Sequence, residues 1–446
     1  DKYVDKGPHR PAFGQELRLE ALASLECVDY CAANEWPTAE ETLRTLRPDV
    51  YVKGSEFKEP GADPTGKMAL EIAVAQEVGT QIRFTEDIVF SSSNLINRFF
   101  SQLPEENRQY LQLIKKRYPL ETILETLDRM ASMKVLVVGD AIVDEYQYCQ
   151  PLGKSSKDPI LAVQFEYMEQ FAGGSIAVAN HISHLVSEVG LGTVLGKENS
   201  HEEFIRSKLA GNVTPHFNTS NDSPTLLKRR IVDGSSTSKL IEIYETPASG
   251  LLEPTRNFVD WLQEHAEDYD IVVVCDFGHG TLTPEVMQCL CAKAKFLAVN
   301  TQANAGNRGF NVITKYPRLD LGTLAEHELR LERRNNSAPI RQLMEELMEL
   351  GDYTTLLVTC GFKGCCVFDK TDGFVKIPSL TTHAIDRVGA GDALLSVAAL
   401  AAGLGATAEL LGFLGNVYGA LAVGTIGNEK AISKGAASKF ITALLK

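Results

Sequence analysis

Four short apolar runs limit most strongly what this chain can fold into: Val135–Val138, Ile271–Val274, Phe296–Val299 and Leu356–Thr359. Each is of strand length, and the first ends at once in Gly139-Asp140, as a strand buried on both faces should. Segments of helical length separate them, at Gly174–Val186, Arg256–His265, Glu285–Ala294 and Ile340–Leu350. This alternation predicts an α/β fold with a doubly wound, mostly parallel sheet and a site at the carboxyl ends of its strands. Two stretches depart from the pattern. Ile160–Tyr167 alternates apolar residues, and Thr225–Tyr244 holds two strand-like runs around Gly234-Ser235-Ser236. They predict antiparallel strands of a small separate sheet, placed as a lid over the site.

The first hundred residues read as another α/β unit, with a helix near Gln15–Ser24, a strand at Val28–Ala32, a helix from Thr38 to Leu46, a strand Val50–Lys53 and further elements to Phe84. Thr38 followed by Glu41 suggests a capping box, and Arg47-Pro48 stops that helix. Between the two units, Leu111, Ile114, Tyr118, Ile123, Leu124, Leu127 and Met130 recur at helical spacing among charges, interrupted at Pro119. The expected organisation is therefore residues 1–104, a helical linker at 105–132, and a domain over 133–446.

With 44 basic and 58 acidic residues the formal charge is −14, and no Lys and Arg run makes a local exception. Nucleic acid and anionic membrane are excluded as expected partners. No apolar run approaches the roughly 18 residues of a membrane helix, and no signal peptide opens the chain, so a cytoplasmic protein is expected. The nine cysteines are scattered and mostly set in apolar stretches, which reads as buried reduced thiols. Cys27 with Cys31, or Cys365 with Cys366, would otherwise seed a metal site, but no His lies at ligand spacing.

The chemistry is concentrated in Asp386-Arg387-Val388-Gly389-Ala390-Gly391-Asp392-Ala393, followed by the apolar helix Leu394–Gly403. Glycines let backbone approach a ligand closely, and amides at a helix start hold a phosphoryl group. Gly389, Ala390 and Gly391 then form an anion hole, and Asp392 in the first helical turn can accept the proton of an attacking hydroxyl. The plainer alternative is a glycine turn with a helix-capping Asp. Asp276, before Gly278-His279-Gly280, faces substrate or metal or else forms a turn, and His279 is most simply a turn residue. Arg229 and Arg230 in the lid either close over a substrate phosphate or lie on a solvated strand face, and Arg387 is within reach of a transferring phosphate.

The glycine motif resembles the signature of the ribokinase/PfkB family of carbohydrate kinases, and the resemblance extends over residues 134–446. Gly139-Asp140-x3-Asp144 is similar to the family's first strand and its acidic grip on substrate hydroxyls. Gly173-Gly174-Ser175-Ile176-Ala177-Val178-Ala179-Asn180 is similar to its sugar-binding Gly-Gly segment, in which Asn180 would contact substrate. Thr359, Gly361 and Gly364 resemble its nucleotide-site turn, and Asn416 falls where its adenine pocket has a small polar residue. Glu326 of Thr323-Leu324-Ala325-Glu326 keeps the family's acidic residue near metal and phosphates but not its Asn, and Val299-Asn300-Thr301-Gln302 replaces the usual Asp-Pro-Lys. Within the family, residues 139–146 and Lys154–Asn180 most resemble the kinase halves of the bifunctional ADP-heptose synthases. The resemblance implies Mg2+, ATP as cosubstrate, a sugar or sugar-phosphate acceptor, and a homodimer formed through the β lid.

A second resemblance lies in the first unit. Residues 1–11, then Leu46–Gly54 and Phe90–Ile96, look like the later part of a cytidylyltransferase-type nucleotidyltransferase with a Rossmann-like fold. It implies that Lys6 and Lys53 face phosphates and that Ser91, Ser92 and Ser93 cradle the triphosphate of CTP or ATP at a helix start. The family's His-x-Gly-His is not among these residues, and Asp1 falls in mid-domain, so an N-terminally truncated domain is expected, the alternative being an inactive one. The combined expectation is a sugar-activating enzyme in which a C-terminal kinase and an N-terminal nucleotidyltransferase act in turn. The ADP-heptose synthases carry both activities in reverse order. An ADP-heptose synthase proper, acting on heptose 7-phosphate and then adenylylating heptose 1-phosphate, a lone kinase with an inactive binding or dimerisation module, and a nonenzymatic sugar-binding regulator are the alternatives.

Overall fold

The computed structural model describes residues 3, 11, 13–54, 67–85, 103–247 and 251–445. The chain divides into two compact units, residues 1–120 with 434–446, and residues 121–433.

In the first unit, helices α1 (Gln15–Ala23), α2 (Glu40–Leu46) and α3 (Lys67–Val78) accompany strands β1 (Val50–Lys53) and β2 (Gln81–Phe84), which pair in parallel. Leu43, Val74 and Ala75 form a small core, with Ala39, Tyr51 and Ile82 packed against it. Two expectations are corrected here. Val28–Ala32 forms no strand: Tyr30 is 97% exposed and the cysteines on either side are exposed too, so the segment has no face to bury. Thr38 makes no capping box, because the helix begins at Glu40 with Ala39 at its cap, and the Thr38 hydroxyl instead donates to the Glu40 carboxylate at 3.0 Å. Arg47, at φ 43°, ends the helix in the left-handed region just before Pro48. Helix α4 (Glu105–Arg117) and the carboxyl-terminal helix Lys434–Leu445 also group with this unit. Pro119 separates α4 from α5 (Leu120–Arg129).

The strands of the second unit are β3 (Lys134–Gly139), β4 (Ala141–Lys154), β5 (Leu161–Gly174), β6 (Glu188–Glu198), β7 (Val213–Pro224), β8 (Leu227–Asp233), β9 (Lys239–Glu245), β10 (Ile271–Asp276), β11 (Leu297–Thr301), β12 (Arg318–Ala325), β13 (Asp352–Thr359), β14 (Cys365–Asp369) and β15 (Gly373–Ile377). Among the described residues, nine of them form one sheet in the order β15-β14-β13-β12-β11-β10-β3-β6-β7. The pairings are parallel from β13 to β7, and the hairpin β14–β15 closes one edge antiparallel. Alternate residues of the central strands face opposite layers. Leu136, Val138, Val272 and Val274 share a buried cluster with Phe258 and Leu262 of α6 (Arg256–His265), Val286 and Leu290 of α7 (Pro284–Lys293), and Leu343 and Leu347 of a helix at Ile340–Met348. On the other face, Ile271 lies against Gly403, where a Cβ would come within 2.4 Å of its Cδ1. Burial at Ala393–Ala401 and Leu410–Tyr418 explains why these two helices are apolar all round.

The remaining strands make a four-stranded lid in the order β5-β4-β8-β9, antiparallel except for the parallel pair β4–β8. Strand β4 went unforeseen, because Asp144 and Glu145 interrupt its apolar pattern; each charge is matched by an arginine on β8. No helix among the described residues is long and apolar enough to cross a membrane.

Candidate active site

Period-two geometry sorts the lid's charges onto two faces. In the parallel register Asp144 lies opposite Lys228, Glu145 opposite Arg229 and Tyr146 opposite Arg230, while Tyr244 and Glu242 lie opposite Lys228 and Arg230. Lys228, Arg230, Glu242, Tyr244 and Asp144 line a cavity of about 520 Å3 together with Gly174, Asn304, Arg308, Asn428 and Asp392. The intervening Arg229 lies on the other face, where it pairs with Glu145 at 2.5 Å and Glu245 at 2.6 Å.

Asp392 enters this cavity because Gly389, at φ 83°, turns the chain into the helix Ala390–Gly403. A Cβ on Gly389 would come within 1.9 Å of the Asn428 Oδ1, so glycine is required on steric as well as conformational grounds. In the first helical turn the Ala390 amide donates to Arg387 O at 3.4 Å, whereas those of Gly391 and Asp392 fall where a helix offers no intrahelical acceptor and can serve an anion. Desolvation pushes the Asp392 carboxyl up to about 7; the nearby Asp144 charge adds to the rise and Lys228 opposes it. That range suits a group that takes and returns a proton near neutrality.

Arg230 is ion-paired to Asp144 and reaches Glu242 at 2.7 Å. Lys239 of β9 pairs with Asp386 at 2.5 Å, and Asp386 also accepts hydrogen bonds from Tyr146 Oη at 2.9 Å, Val388 N at 3.1 Å and Gly427 N at 3.0 Å. Lys228 is only 7% exposed, and its burial lowers the ammonium's pKa. It sits over the rings of Tyr244 and Phe277, at 5.2 and 5.7 Å.

A second cavity of about 720 Å3 holds Thr359, Gly361, Gly364, Asn416 and Glu326. Gly364 allows close packing: a Cβ there would come within 2.0 Å of the Ile377 carbonyl oxygen. Asn416 donates to the Ile377 and Pro378 carbonyls at 3.4 Å. Gln302, His327, Arg387 and Gly391 line both cavities, so the two chambers meet at the glycine turn. Arg387 stacks over Phe362 at 4.9 Å. Asn300 and Thr323, both departures from the expected motifs, are joined by a 2.9 Å hydrogen bond.

Three expected substrate contacts have side chains engaged by the protein itself. Asp140 is buried, and its carboxylate accepts the amides of Phe277, His279 and Thr281 at 2.9 to 3.2 Å, shaping the loop after β10. Asp276 is fully buried against Lys315 at 2.6 Å and the Tyr316 hydroxyl at 2.5 Å. Asn180 has both ends of its amide on backbone, donating to Lys208 O at 2.9 Å and accepting from Ala210 N at 3.1 Å. None of the three lines the cavity with Asp392. Gly173 acts by what it lacks, since a Cβ would fall 2.2 Å from Asp144 Oδ2, and Gly174, at φ 61°, packs on the Asp140 carbonyl. His279 lies in a turn bounded by Gly278 and Gly280 at positive φ; its ring is near Asn304 and is pushed down to about 3, chiefly by burial.

Glu326 stands in the second cavity with its carboxylate held by Arg330 at 2.8 Å. Among the described residues no three His, Cys, Asp or Glu side chains gather into a metal site. In the first unit, Lys53 pairs with the buried Glu71 at 2.6 Å, and Glu71 also takes the Tyr51 hydroxyl at 2.9 Å. Lys6, Ser91, Ser92 and Ser93 lie outside the described residues. Sequence reasoning missed Lys228 and Lys239. The signal for Lys228 was the alternation in Lys228-Arg229-Arg230, which puts the first and third residues on one face.

Comparison with known proteins agrees with this geometry. The model of the pfkB family of carbohydrate kinases matches residues 132–434. The bifunctional protein HldE of Citrifermentans bemidjiense is 25% identical over 312 residues, covering 68% of this chain and 62% of that protein. HldE of Pseudomonas aeruginosa is 26% identical over 313 residues, with the same coverage. The chain thus spans less than two thirds of the length of these relatives. Among solved structures, phosphofructokinase-2 from Escherichia coli in complex with potassium superposes with a TM-score of 0.56 at 16% identity, over 71% of this chain and 100% of that one. Arabidopsis thaliana ribokinase complexed with ribose and ATP gives 0.56 at 16% identity, over 71% and 99%. These two likenesses establish a ribokinase-like α/β fold.

Proposed function

The chain belongs to the pfkB family of carbohydrate kinases, and from that premise we propose that it transfers the terminal phosphoryl group of ATP to a hydroxyl of a sugar phosphate, with Asp392 as general base. The observation that carries this reading is the junction of the two cavities at Arg387 and Gly391, the residue immediately before Asp392. The nucleotide occupies the chamber of Thr359, Gly361, Gly364 and Asn416, and its terminal phosphate points at the glycine turn. The acceptor lies under the lid. Asp392 takes the hydroxyl proton as the oxygen attacks phosphorus, and amides of the first helical turn together with Arg387 hold the charge on the phosphoryl oxygens. Lys228, Arg308 and Arg387 supply cations in the acceptor chamber beyond those matched to carboxylates, which favours an acceptor that carries a phosphate of its own. Asp144, braced by Arg230, is suited to orienting acceptor hydroxyls.

Mg2+ fits this arrangement as an ion carried on the nucleotide phosphates, since such ions need only one or two protein carboxylates. Glu326 would meet it, and its charge would offset that of the phosphates. The test is ATP consumption across a panel of sugars and sugar phosphates, wild type beside Asp392→Asn. Turnover elicited by a phosphorylated sugar and abolished by the substitution is expected. Equal rates in both proteins would remove Asp392 from the mechanism.

For the first unit we infer a nucleotidyltransferase-type module that couples the kinase product to a nucleotide, supported by the sequence resemblance and the parallel β1–β2 pair. Pyrophosphate release from CTP or ATP with the purified kinase product tests it; none would leave a lone kinase carrying a binding module. The lid's outer face exposes Phe165, Met168, Ile241 and Ile243, which supports pairing of two copies through that face. Sedimentation of wild type beside Ile241→Lys tests that pairing.

A further inference from the structure

Cys360 and Cys366 occupy one face of the β13–β14 ladder. In its antiparallel register Val358 lies opposite Cys366 and Thr359 opposite Cys365, and the Cys360 amide donates to Gly364 O at 2.7 Å. Continuing the count sets Cys360 opposite Gly364, with Cys366 as its diagonal neighbour on the same face. Gly364 has no side chain to stand between them. The Cys360 thiol donates to Val358 O at 3.7 Å, and Cys360 packs against the buried cluster that contains Cys366, Val358 and Met344. Cys365 points to the opposite face, where its thiol meets Gly412 O at 3.7 Å. The members of the pair differ in access: Cys360 lines the nucleotide cavity, whereas Cys366 is 4% exposed.

We propose that Cys360 and Cys366 form a reversible disulfide that weakens nucleotide binding, with a low-molecular-weight disulfide as oxidant. The oxidant enters through the nucleotide cavity. The Cys360 thiolate attacks one of its sulfurs, forming a mixed disulfide and releasing one small thiolate. The Cys366 thiolate then attacks the Cys360 sulfur, closing the protein disulfide and releasing the second small thiolate. The protons of the two protein thiols end on the two small thiols, so the protein loses two electrons and the small disulfide gains them. The neighbouring Cys366, together with burial, raises the Cys360 pKa while that of Cys366 is lowered, so the first attack is the slower of the two steps. Diagonal neighbours in a ladder have Cα atoms about 7–8 Å apart, whereas disulfides usually hold them at about 5.5–6 Å. Closure therefore draws the start of the Gly361–Gly364 turn toward the sheet and deforms the wall built by Gly361 and Gly364.

The inference rests on the kinase reading only in assigning nucleotide to this cavity. Its test uses the full chain, incubated with oxidised glutathione and then analysed by thiol counting, non-reducing peptide mass mapping and direct titration with ATP. Loss of two thiols, a 360–366 linkage that persists in Cys365→Ser, and an ATP affinity about tenfold weaker and restored by dithiothreitol are expected. Saturating ATP should slow the oxidation at least fivefold. Cys366→Val, with Cys366→Ser should the first fail to fold, should lose the effect on ATP affinity. A linkage through Cys365, retention of both thiols, or equal ATP affinity in oxidised and reduced protein would overturn the proposal. ATP binding without any sugar turnover would count against the kinase reading alone.

Discussion

Lys239 Nζ lies 2.5 Å from Asp386 Oδ1, joining the last strand of the lid to the first residue of the glycine turn. The same carboxylate takes the amides of Val388 and Gly427 and the hydroxyl of Tyr146, so one side chain connects lid, turn and the following loop. Hydrogen bonding to Lys239 and to those amides outweighs burial and holds the Asp386 carboxyl below the usual carboxylate range. Lys239→Met is expected to release the lid while leaving Asp392 in place. Acceptor KM should rise roughly tenfold or more, since a charge-assisted hydrogen bond is worth about 1.5–3 kcal/mol. Steady-state kinetics with varied acceptor, beside an unchanged ATP titration, check this; an equal rise in both constants would contradict it.

Asp392→Asn should lower turnover roughly 10²- to 10⁴-fold, the usual share of a general base. In the wild type the raised pKa sets the sign of the pH effect. The base works only when ionised, so turnover should fall tenfold per unit as pH drops below about 7. A pH–rate profile with a flat acidic limb would contradict this.

Stability should move the opposite way. A carboxyl whose folded pKa is raised stabilises the fold below its unfolded pKa and loses that contribution as pH climbs through about 7. Asp392→Asn removes the ionisation, so at pH 8 it should melt roughly 2–4 °C above wild type, the shift expected for about 1 kcal/mol. At pH 4 the two melting temperatures should converge.

Lys228→Met should raise KM for a phosphorylated acceptor more than tenfold and change KM for its unphosphorylated counterpart little. Burial already disfavours the ammonium, so the substitution should not lower the melting temperature. A matched pair of acceptors measures the difference directly.

Gly389→Ala combines a positive φ with a Cβ placed 1.9 Å from Asn428 Oδ1. We expect a loss of about 1–3 kcal/mol in stability together with most of the activity. Gly405→Ala, at φ 73° with open space around it, isolates the backbone component and should leave activity intact.

The layered sheet was legible because β3, β10, β11 and β13 each contain a short continuous apolar run, as in Val135–Val138 and Ile271–Val274. Strand β4 was not, since the partners of Asp144 and Glu145 lie more than eighty residues away. The site was legible where glycine chemistry is local: Gly389 and Gly391 at the turn, Gly361 and Gly364 in the nucleotide chamber. It was less legible at Asp140, Asp276 and Asn180, whose side chains are engaged within the protein. An acid or amide at the end of a strand or in a first helix serves substrate or nearby backbone equally well, and only three-dimensional direction separates the two. Lys228 escaped notice for a related reason: a buried lysine contradicts what composition leads one to expect, and its use appears only once the acceptor chamber exists.

Five Lys and Arg side chains and four Asp and Glu side chains line the acceptor chamber of a chain whose net charge is −14. For an incoming anion most of the surface is a repulsive hill, and the chamber mouth is the one inviting basin this site offers. Arrival is then a matter of field as well as fit: dissolved salt flattens hill and basin alike, and the rate of encounter with a doubly charged acceptor becomes a gauge of ionic strength, while an uncharged sugar would arrive at the same pace in dilute buffer and in brine.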